Sequence, residues 1–548
     1  MISRYLPPVY ALALSLIVTA PLLPHGYLLL RDAVSTPRSY LSDAALGLSE
    51  AAPRALPQDF ALALASHVVD GGVVVKALLV TGLWAAGWGA ARLASTVVPD
   101  AGVAGQCVAV TVAVWNPYVA ERLLQGHWSL LVGYGCLPWV AAAVLRLRDG
   151  SGRWWPLVFW IALAGLTPTG LLLAAAVALV SVCAPGIGRR LPVVAVSLAA
   201  AAVSALPWLV AAAVSGSLSV SPAAGIPAFA ARAEPGLGTL LSLAGLAGIW
   251  NADAVPGSRT TSFAVVATVV LLAVVAAGVS VVWRRPAAVP LLVLAAAAVV
   301  LPAAMATGPG LAAVEQIVRA LPGLGVLRDG QKWVALALPG YAVAGAGAVL
   351  VARRVPAGAV AAVCCAALIA VLPDLAFGVG GRMRAVQYPP SWAEAAAVIN
   401  ADPGPVAVLP PDSMRHFAWA GDAPVLDPLP RWLRADVLST GDLVIGGATV
   451  PGEGVRARAV QELLMRGAPA PELAAAGVRW VVVESDGAAI DLPVAYRGEG
   501  LTVYRVGGDG TASPYRGLLI GAHLAWLAVL LGSLLAGALG LRRARPRR

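Results

Sequence analysis

The stretch that decides the fold is residues 7–43, PPVYALALSLIVTAPLLPHGYLLLRDAVSTPRSYLSD. Its first part, 7–24, is uncharged and of a length that crosses the hydrocarbon core of a bilayer. Arg31 and Asp32 follow within a few residues, then Arg38 and Asp43. A cleaved signal peptide would show a basic start and a small-residue cleavage site before a polar segment. Only Arg4 lies nearby and no such site is evident, so 7–24 reads as a first transmembrane helix that delivers an acid-bearing loop directly to the membrane surface.

The rest of the chain agrees. Of 548 residues 59% are hydrophobic and only 12% charged, and the mean hydropathy is +0.81. Soluble globular proteins carry about 25% charged residues, so that class is excluded and a polytopic membrane protein remains. Apolar runs bounded by Pro, Gly and Arg pairs predict about twelve transmembrane helices: 7–24, 67–91, 101–116, 127–145, 155–168, 169–184, 191–214, 261–283, 287–305, 332–351, 356–375 and 514–541. The runs 155–168 and 169–184 are short and flank Pro168, and read either as two spans or as one broken helix.

The net charge of +10 is a topological signal. With a cytoplasmic N-terminus, the inner segments hold Arg4, Arg92, Arg146, Arg148, Arg153, Arg189, Arg190, Arg284, Arg285, Arg353, Arg354, Arg542, Arg543, Arg545, Arg547 and Arg548 against Asp100 and Asp149. Basic residues favour cytoplasmic loops, so both termini are expected inside and the surplus marks no nucleic-acid partner. Arginine in place of lysine, with abundant Ala, Val and Gly, suggests a GC-rich bacterial genome and so a bacterial plasma membrane. The two lysines, Lys76 and Lys332, precede Ala and Trp, so no Walker A sequence exists and an ATP-driven pump is not encoded. Cys107, Cys136, Cys183, Cys364 and Cys365 lie in apolar runs without metal-binding spacing and read as buried packing residues.

Short inner loops leave no room for a cytoplasmic nucleotide site, so chemistry belongs outside. The expected division is a multispanning domain, 1–375, with outer loops 25–66, 215–260 and 306–331; an extracytoplasmic α/β domain, 376–513; and a last helix with a basic cytoplasmic tail, 514–548. Within 376–513, helix-like stretches (SWAEAAAVINAD, VRARAVQELLMRG, PELAAAGV) alternate with β-rich ones (PVAVLP, RWVVVES, LTVYRV). Its Asp412, His416, Asp422 and Asp427, set among prolines, read as a solvated loop.

Three outer stretches carry candidate chemistry. Asp32, beside Arg31, is either a solvated loop charge or a functional carboxylate. In WNPYVAERLLQGHW, 115–128, a short helix would put Glu121 and Gln125 on one face, with Arg122 and His127 nearby; Trp115, Tyr118 and Trp128 fit an interfacial aromatic belt. In GVLRDGQKW, 325–333, an α-helix would project Arg328 and Lys332 together, as a phosphate site or as snorkelling anchors. Lys76, inside the second span, needs a partner or a cavity, and Asp70 lies too far along a helix to pair simply.

A first helix followed at once by an acidic outer loop, a second acid at the outer end of the third helix, and a terminal outer α/β domain resemble the GT-C superfamily of membrane glycosyltransferases. GYLLLRDAVSTP, NPYVAERLLQGHW, GIWNAD and LRDGQKW resemble stretches of actinobacterial members. The resemblance implies transfer of a sugar from a polyprenyl-phosphate donor to a cell-envelope glycan or glycolipid acceptor, on the outer face and usually with inversion; arabinofuranosyl and mannosyl transfer are the associated activities. It implies Asp32 as general base, Glu121 as the acid that orients the acceptor or holds a divalent cation (Mg, Mn or Ca) with His127, and Arg328, Lys332 and Lys76 on the donor phosphate. Arg31, Arg122, Gln125 and His127 would contact the acceptor. The first loop lacks the paired acids many members carry there, having Asp32 and, eleven residues on, Asp43, which leaves metal dependence open. A transporter or flippase of a lipid-linked precursor and a non-catalytic envelope scaffold are the alternatives; the absence of duplicated halves and the large outer domain speak against the first.

Overall fold

The computed structural model describes residues 4–50, 55–215, 225–445, 448–485, 490–510 and 513–543. Residues 51–54 and 216–224 of the expected outer loops, and the tail arginines Arg545, Arg547 and Arg548, lie outside them.

Among the described residues six stretches are helical, long and apolar enough to cross a membrane: Gly71–Val97, Pro99–Leu124, Trp128–Arg148, Arg190–Ser215, Phe263–Val282 and Arg516–Gly540. Two bent pairs raise this to eight, Val289–Met305 with Gly308–Ala320 at 92° and Ala357–Ala370 with Pro373–Gly380 at 75°. Leu6–Leu22, Trp154–Ala164 and Pro168–Ser181 are shorter apolar helices. The expected twelve long spans are therefore not matched among the described residues, and hydroxyl caps account for two of the interruptions. Thr167 accepts from the Gly170 amide at 3.1 Å and Thr307 from the Gly310 amide at 3.2 Å, each starting a new helix. The expected span 332–351 begins as a 3₁₀ turn, Gly330–Ala337, and becomes an α-helix only over Leu338–Ala348.

Small residues let the central helices meet closely. A Cβ on Gly135 would stand 2.2 Å from the Gly82 carbonyl oxygen, so the Trp128–Arg148 and Gly71–Val97 helices pack backbone to backbone there. Trp115, Tyr118 and Trp128 belong to this core rather than to an interfacial belt: all three are buried, and the Trp115 indole donates to the Leu372 carbonyl. Of the five free cysteines only Cys136 is fully buried, and Cys183 is exposed.

From Pro390 to Arg505 helices and strands follow one another along the chain. Helices Pro390–Ala401, Val455–Met465 and Ala470–Ala475 accompany a five-stranded mixed sheet, in the order Val494–Gly498, Leu501–Arg505, Trp480–Val483, Val406–Leu409 and Val437–Leu438. Asp412, His416 and Asp422 are exposed there. Asp427 departs from the expected solvated loop: it is 7% exposed and accepts from the Leu429 amide at 2.8 Å.

Three short strands join this unit to the first loop. β1 (Tyr27–Leu30) pairs antiparallel with β2 (Ala33–Val34) on one side and with β3 (Ala385–Val386) on the other.

Candidate functional site

Asp32 sits at the tip of the β1–β2 hairpin. Leu30 pairs with Ala33, so Arg31 and Asp32 are the two turn residues. Two-residue hairpins need positive φ at one or both turn positions, and Arg31 supplies it at φ +49° without being glycine. Four hydrogen bonds hold it in that sparsely populated conformation. Its amide donates to the Pro424 carbonyl at 2.8 Å and its carbonyl accepts from the Leu426 amide at 2.9 Å. Its guanidinium donates to the Leu124 carbonyl at 2.7 Å and the Asp253 carbonyl at 2.9 Å. Arg31 thus builds the turn that presents Asp32.

The second loop forms the other wall. Asn116 caps the Pro117–Leu124 helix by accepting from the Val119 amide, and Pro117 occupies the first helical position. The helix ends at Gln125, and Gly126 (φ +85°) turns the chain beneath the hairpin tip. A Cβ there would lie 2.3 Å from the Ala33 nitrogen and 2.4 Å from the Leu30 oxygen, so no side chain fits. The result places two donors on one carboxylate oxygen: Gln125 Nε2 at 3.2 Å and His127 Nε2 at 2.9 Å, both on Asp32 Oδ2. Asp32 Oδ1 has no hydrogen-bond partner among the described residues, and the side chain is 40% exposed.

The proton on His127 is assigned by its other neighbour. Arg122 lies 3.0 Å from Nδ1, and a guanidinium can only donate. Nδ1 is therefore the acceptor and Nε2–H the donor to Asp32. Burial also pushes the imidazole below its usual range, favouring the neutral ring. Burial raises the Asp32 carboxyl, but the His127 and Gln125 hydrogen bonds and the Lys332 charge outweigh it and hold Asp32 below the usual carboxylate range.

Behind this pair lies a buried ionic cluster. Arg122 donates to both oxygens of Asp329, at 3.1 and 3.2 Å, and to Gln331 Oε1. Lys332 Nζ stands 3.5 Å from Asp329 Oδ2 with a quarter of its side chain exposed. Burial raises the Asp329 carboxyl, yet Arg122 and Lys332 more than reverse this and keep it strongly acidic. The expected helical pairing of Arg328 with Lys332 does not form. The segment is 3₁₀ on both sides of Asp329, and three residues per turn align Lys332 with Asp329 instead. Arg328 stacks on the Phe229 ring at 4.5 Å and lines a small pocket with Ile226, Pro302 and Met305.

Glu121 and Gln125 face different partners. Glu121 is wholly buried, and its carboxylate accepts from the Gly248 and Ile249 amides at 3.1 Å each and from Gln331 Nε2 at 3.0 Å. It pins the 248–259 loop rather than meeting solvent, as a surface acid would. Gln125 Oε1 accepts from Asn251 at 2.8 Å, so the same loop reaches the Asp32 carboxylate through one amide. Lys76 lies apart, donating to the Pro24 carbonyl at 2.6 Å. Asp70 caps its helix and accepts from Tyr27 Oη at 2.9 Å.

These residues do not fit a divalent cation. Mg, Mn or Ca requires several free oxygen ligands, but both Glu121 oxygens are taken by N–H donors. Of the His127 nitrogens, one accepts from a guanidinium and the other carries the proton. Among the described residues no group of three or more His, Cys, Asp and Glu converges as a metal site.

No family profile matches the chain, and no curated protein does. Two solved structures do, both single-particle cryo-EM structures of a mutant of the arabinofuranosyltransferase AftD from Mycobacteria, in two classes. The TM-scores are 0.55 and 0.53 at 18% and 17% identity. Each alignment covers 92% of this chain and 42% of the other, so this chain spans about two-fifths of the AftD chain. The fold is shared with AftD.

Asp329, Gln331 and Asn251 are the site residues that sequence reasoning passed over. All three stand inside quoted motifs, LRDGQKW and GIWNAD, but the reading of the first weighed only its cations. An acid between two cations is the usual sign of a buried network, and that signal was available at Asp329.

Proposed function

We propose that the chain is a membrane glycosyltransferase of the GT-C type. It moves a sugar from a polyprenyl-phosphate donor to a cell-envelope glycan or glycolipid acceptor on the outer face of the bacterial plasma membrane. The observation that carries this reading is Asp32: a carboxylate on a hairpin tip, one oxygen held by Gln125 and His127 and the other open. Similarity to the AftD fold and the apolar helices support it; arabinofuranosyl transfer is the variant that neighbour favours.

In the reaction Asp32 Oδ1 takes the proton of the acceptor hydroxyl while that oxygen attacks the anomeric carbon. The bond from that carbon to the donor phosphate oxygen breaks, and the phosphate leaves with the electron pair. Attack opposite the leaving group inverts the centre. Lys332, partly exposed and held by Asp329, would stabilise the departing anion, with Arg328 as the second cation of this segment. His127 stays neutral and keeps Asp32 ionised.

The test is a transfer assay with purified protein, a polyprenyl-phosphate sugar and a glycan acceptor. Wild type gives product, and Asp32→Asn loses about 10²–10⁴-fold in rate. Full activity in Asp32→Asn overturns the assignment, and movement of labelled lipid between leaflets without product favours a flippase.

A further inference from the structure

The unit built from residues 376–513 meets the hairpin that presents Asp32 and does so at its strained residue. Residues 414–415 and 425–426 form a two-stranded antiparallel ribbon, with Arg415 opposite Val425. Val425 forms a parallel bridge with Arg31. Through that bridge Pro424 and Leu426 bind both backbone polar groups of Arg31. A non-glycine residue at positive φ persists only where its surroundings over-determine it, and here half of its hydrogen bonds come from this ribbon.

Arg415 ties the ribbon to the central sheet. It is 5% exposed, and its Nε donates to Glu484 Oε2 at 2.6 Å. Glu484 follows directly on the Trp480–Val483 strand, and its amide donates to the Leu409 carbonyl at 2.8 Å. On the ribbon side Arg415 stands 3.8 Å from Asp427 Oδ2, and the Asp427 amide donates to the Ser413 carbonyl at 3.2 Å. A path of hydrogen bonds, ion pairs and short stretches of backbone therefore runs from the sheet through Glu484, Arg415 and residues 424–426 to Arg31 and Asp32.

We propose that the ribbon 414–426 positions the Asp32 hairpin, with Arg415 as the positioning residue, so that the 376–513 unit is part of the active site. The effect on rate rests on Asp32 being the base; the effect on the hairpin does not. The β1–β3 pairing fixes the far end of the hairpin, and the ribbon fixes its tip.

Hydrogen–deuterium exchange on the full chain in detergent or nanodiscs tests this without substrate. Arg415→Met is expected to speed exchange in peptides covering 26–37 about tenfold or more, with peptides from the Trp128–Arg148 helix unchanged; Arg415→Lys restores much of the protection. Leu426→Pro removes the amide that holds the Arg31 carbonyl. It gives the same result and serves if Arg415→Met fails to fold. In the transfer assay the variants lose kcat with an unaltered KM for the donor, by about 10²-fold where the base moves by 1 Å. Wild-type exchange at 26–37 in folded Arg415→Met or Leu426→Pro overturns the proposal, as does loosened exchange with wild-type kcat. A chain with no transfer activity but loosened exchange in these variants keeps the clamp and overturns only the transferase reading.

Discussion

Arg122 donates to Nδ1 of His127 at 3.0 Å, and this one contact determines what His127 can do for Asp32. The guanidinium forces the imidazole into the Nε2–H form. The histidine becomes a fixed donor to a carboxylate that must stay ionised, instead of a base competing with it.

A pH profile checks this. Asp32 works as a base only when deprotonated, so activity is present above its pKa and lost as pH falls through it. That pKa lies below the ordinary 3.8, so the acidic limb of kcat/KM in wild type is expected below that value. His127→Ala removes a donor to the carboxylate while burial still raises it, so the limb should move upward. An unmoved limb would mean that the hydrogen bond does not tune the base.

Glu121→Gln is expected to act on stability more than on chemistry. The carboxylate accepts three N–H bonds, from Gly248, Ile249 and Gln331. An amide turns one acceptor oxygen into a donor facing donors, which leaves buried N–H groups unpaired at about 1–3 kcal/mol. Thermal unfolding should show a lowered Tm, with faster exchange over 248–259. Lost activity at an unchanged Tm would restore a direct catalytic role.

Chelation is expected to leave transfer unchanged, since neither Glu121 nor His127 offers a free ligand atom. Titration of Mn²⁺ followed by electron paramagnetic resonance gives the same answer without substrate: no site that disappears in Asp32→Asn. A rate that falls with chelator and recovers with Mg²⁺, Mn²⁺ or Ca²⁺ would show that the hydrogen bonds at these two residues open to admit an ion.

Much of this was legible in the sequence, and the limit was orientation rather than identity. The α/β alternation of 390–505 survives folding because each segment carries its own periodicity and turn residues. Asp32, Gln125 and His127 were nameable because polar residues beside apolar spans stand out. The direction in which Glu121 points was not readable, because its partners are backbone amides 127 and 128 residues away. Nor was the pairing of Lys332 with Asp329, since Arg328 and Lys332 align only on an α-helix and the segment is 3₁₀.

Gly126→Ala isolates the placement of the base from its chemistry. The glycine has φ +85°, a conformation costing an alanine roughly 1–2 kcal/mol. Its new Cβ would stand 2.3 Å from the Ala33 nitrogen and 2.4 Å from the Leu30 oxygen, both main-chain atoms of the hairpin. Ordinary contact begins near 3.4 Å, so the tip must retreat by about 1 Å, the scale at which a misplaced catalytic group loses about 10²-fold. No reacting group is altered, so the variant should bind donor with the wild-type KM while kcat falls by that factor. It should also lose the depressed acidic limb, because Gln125 and His127 no longer reach Asp32 at 3.2 and 2.9 Å. A folded Gly126→Ala protein with wild-type kcat would show that the hairpin is not where the base is set.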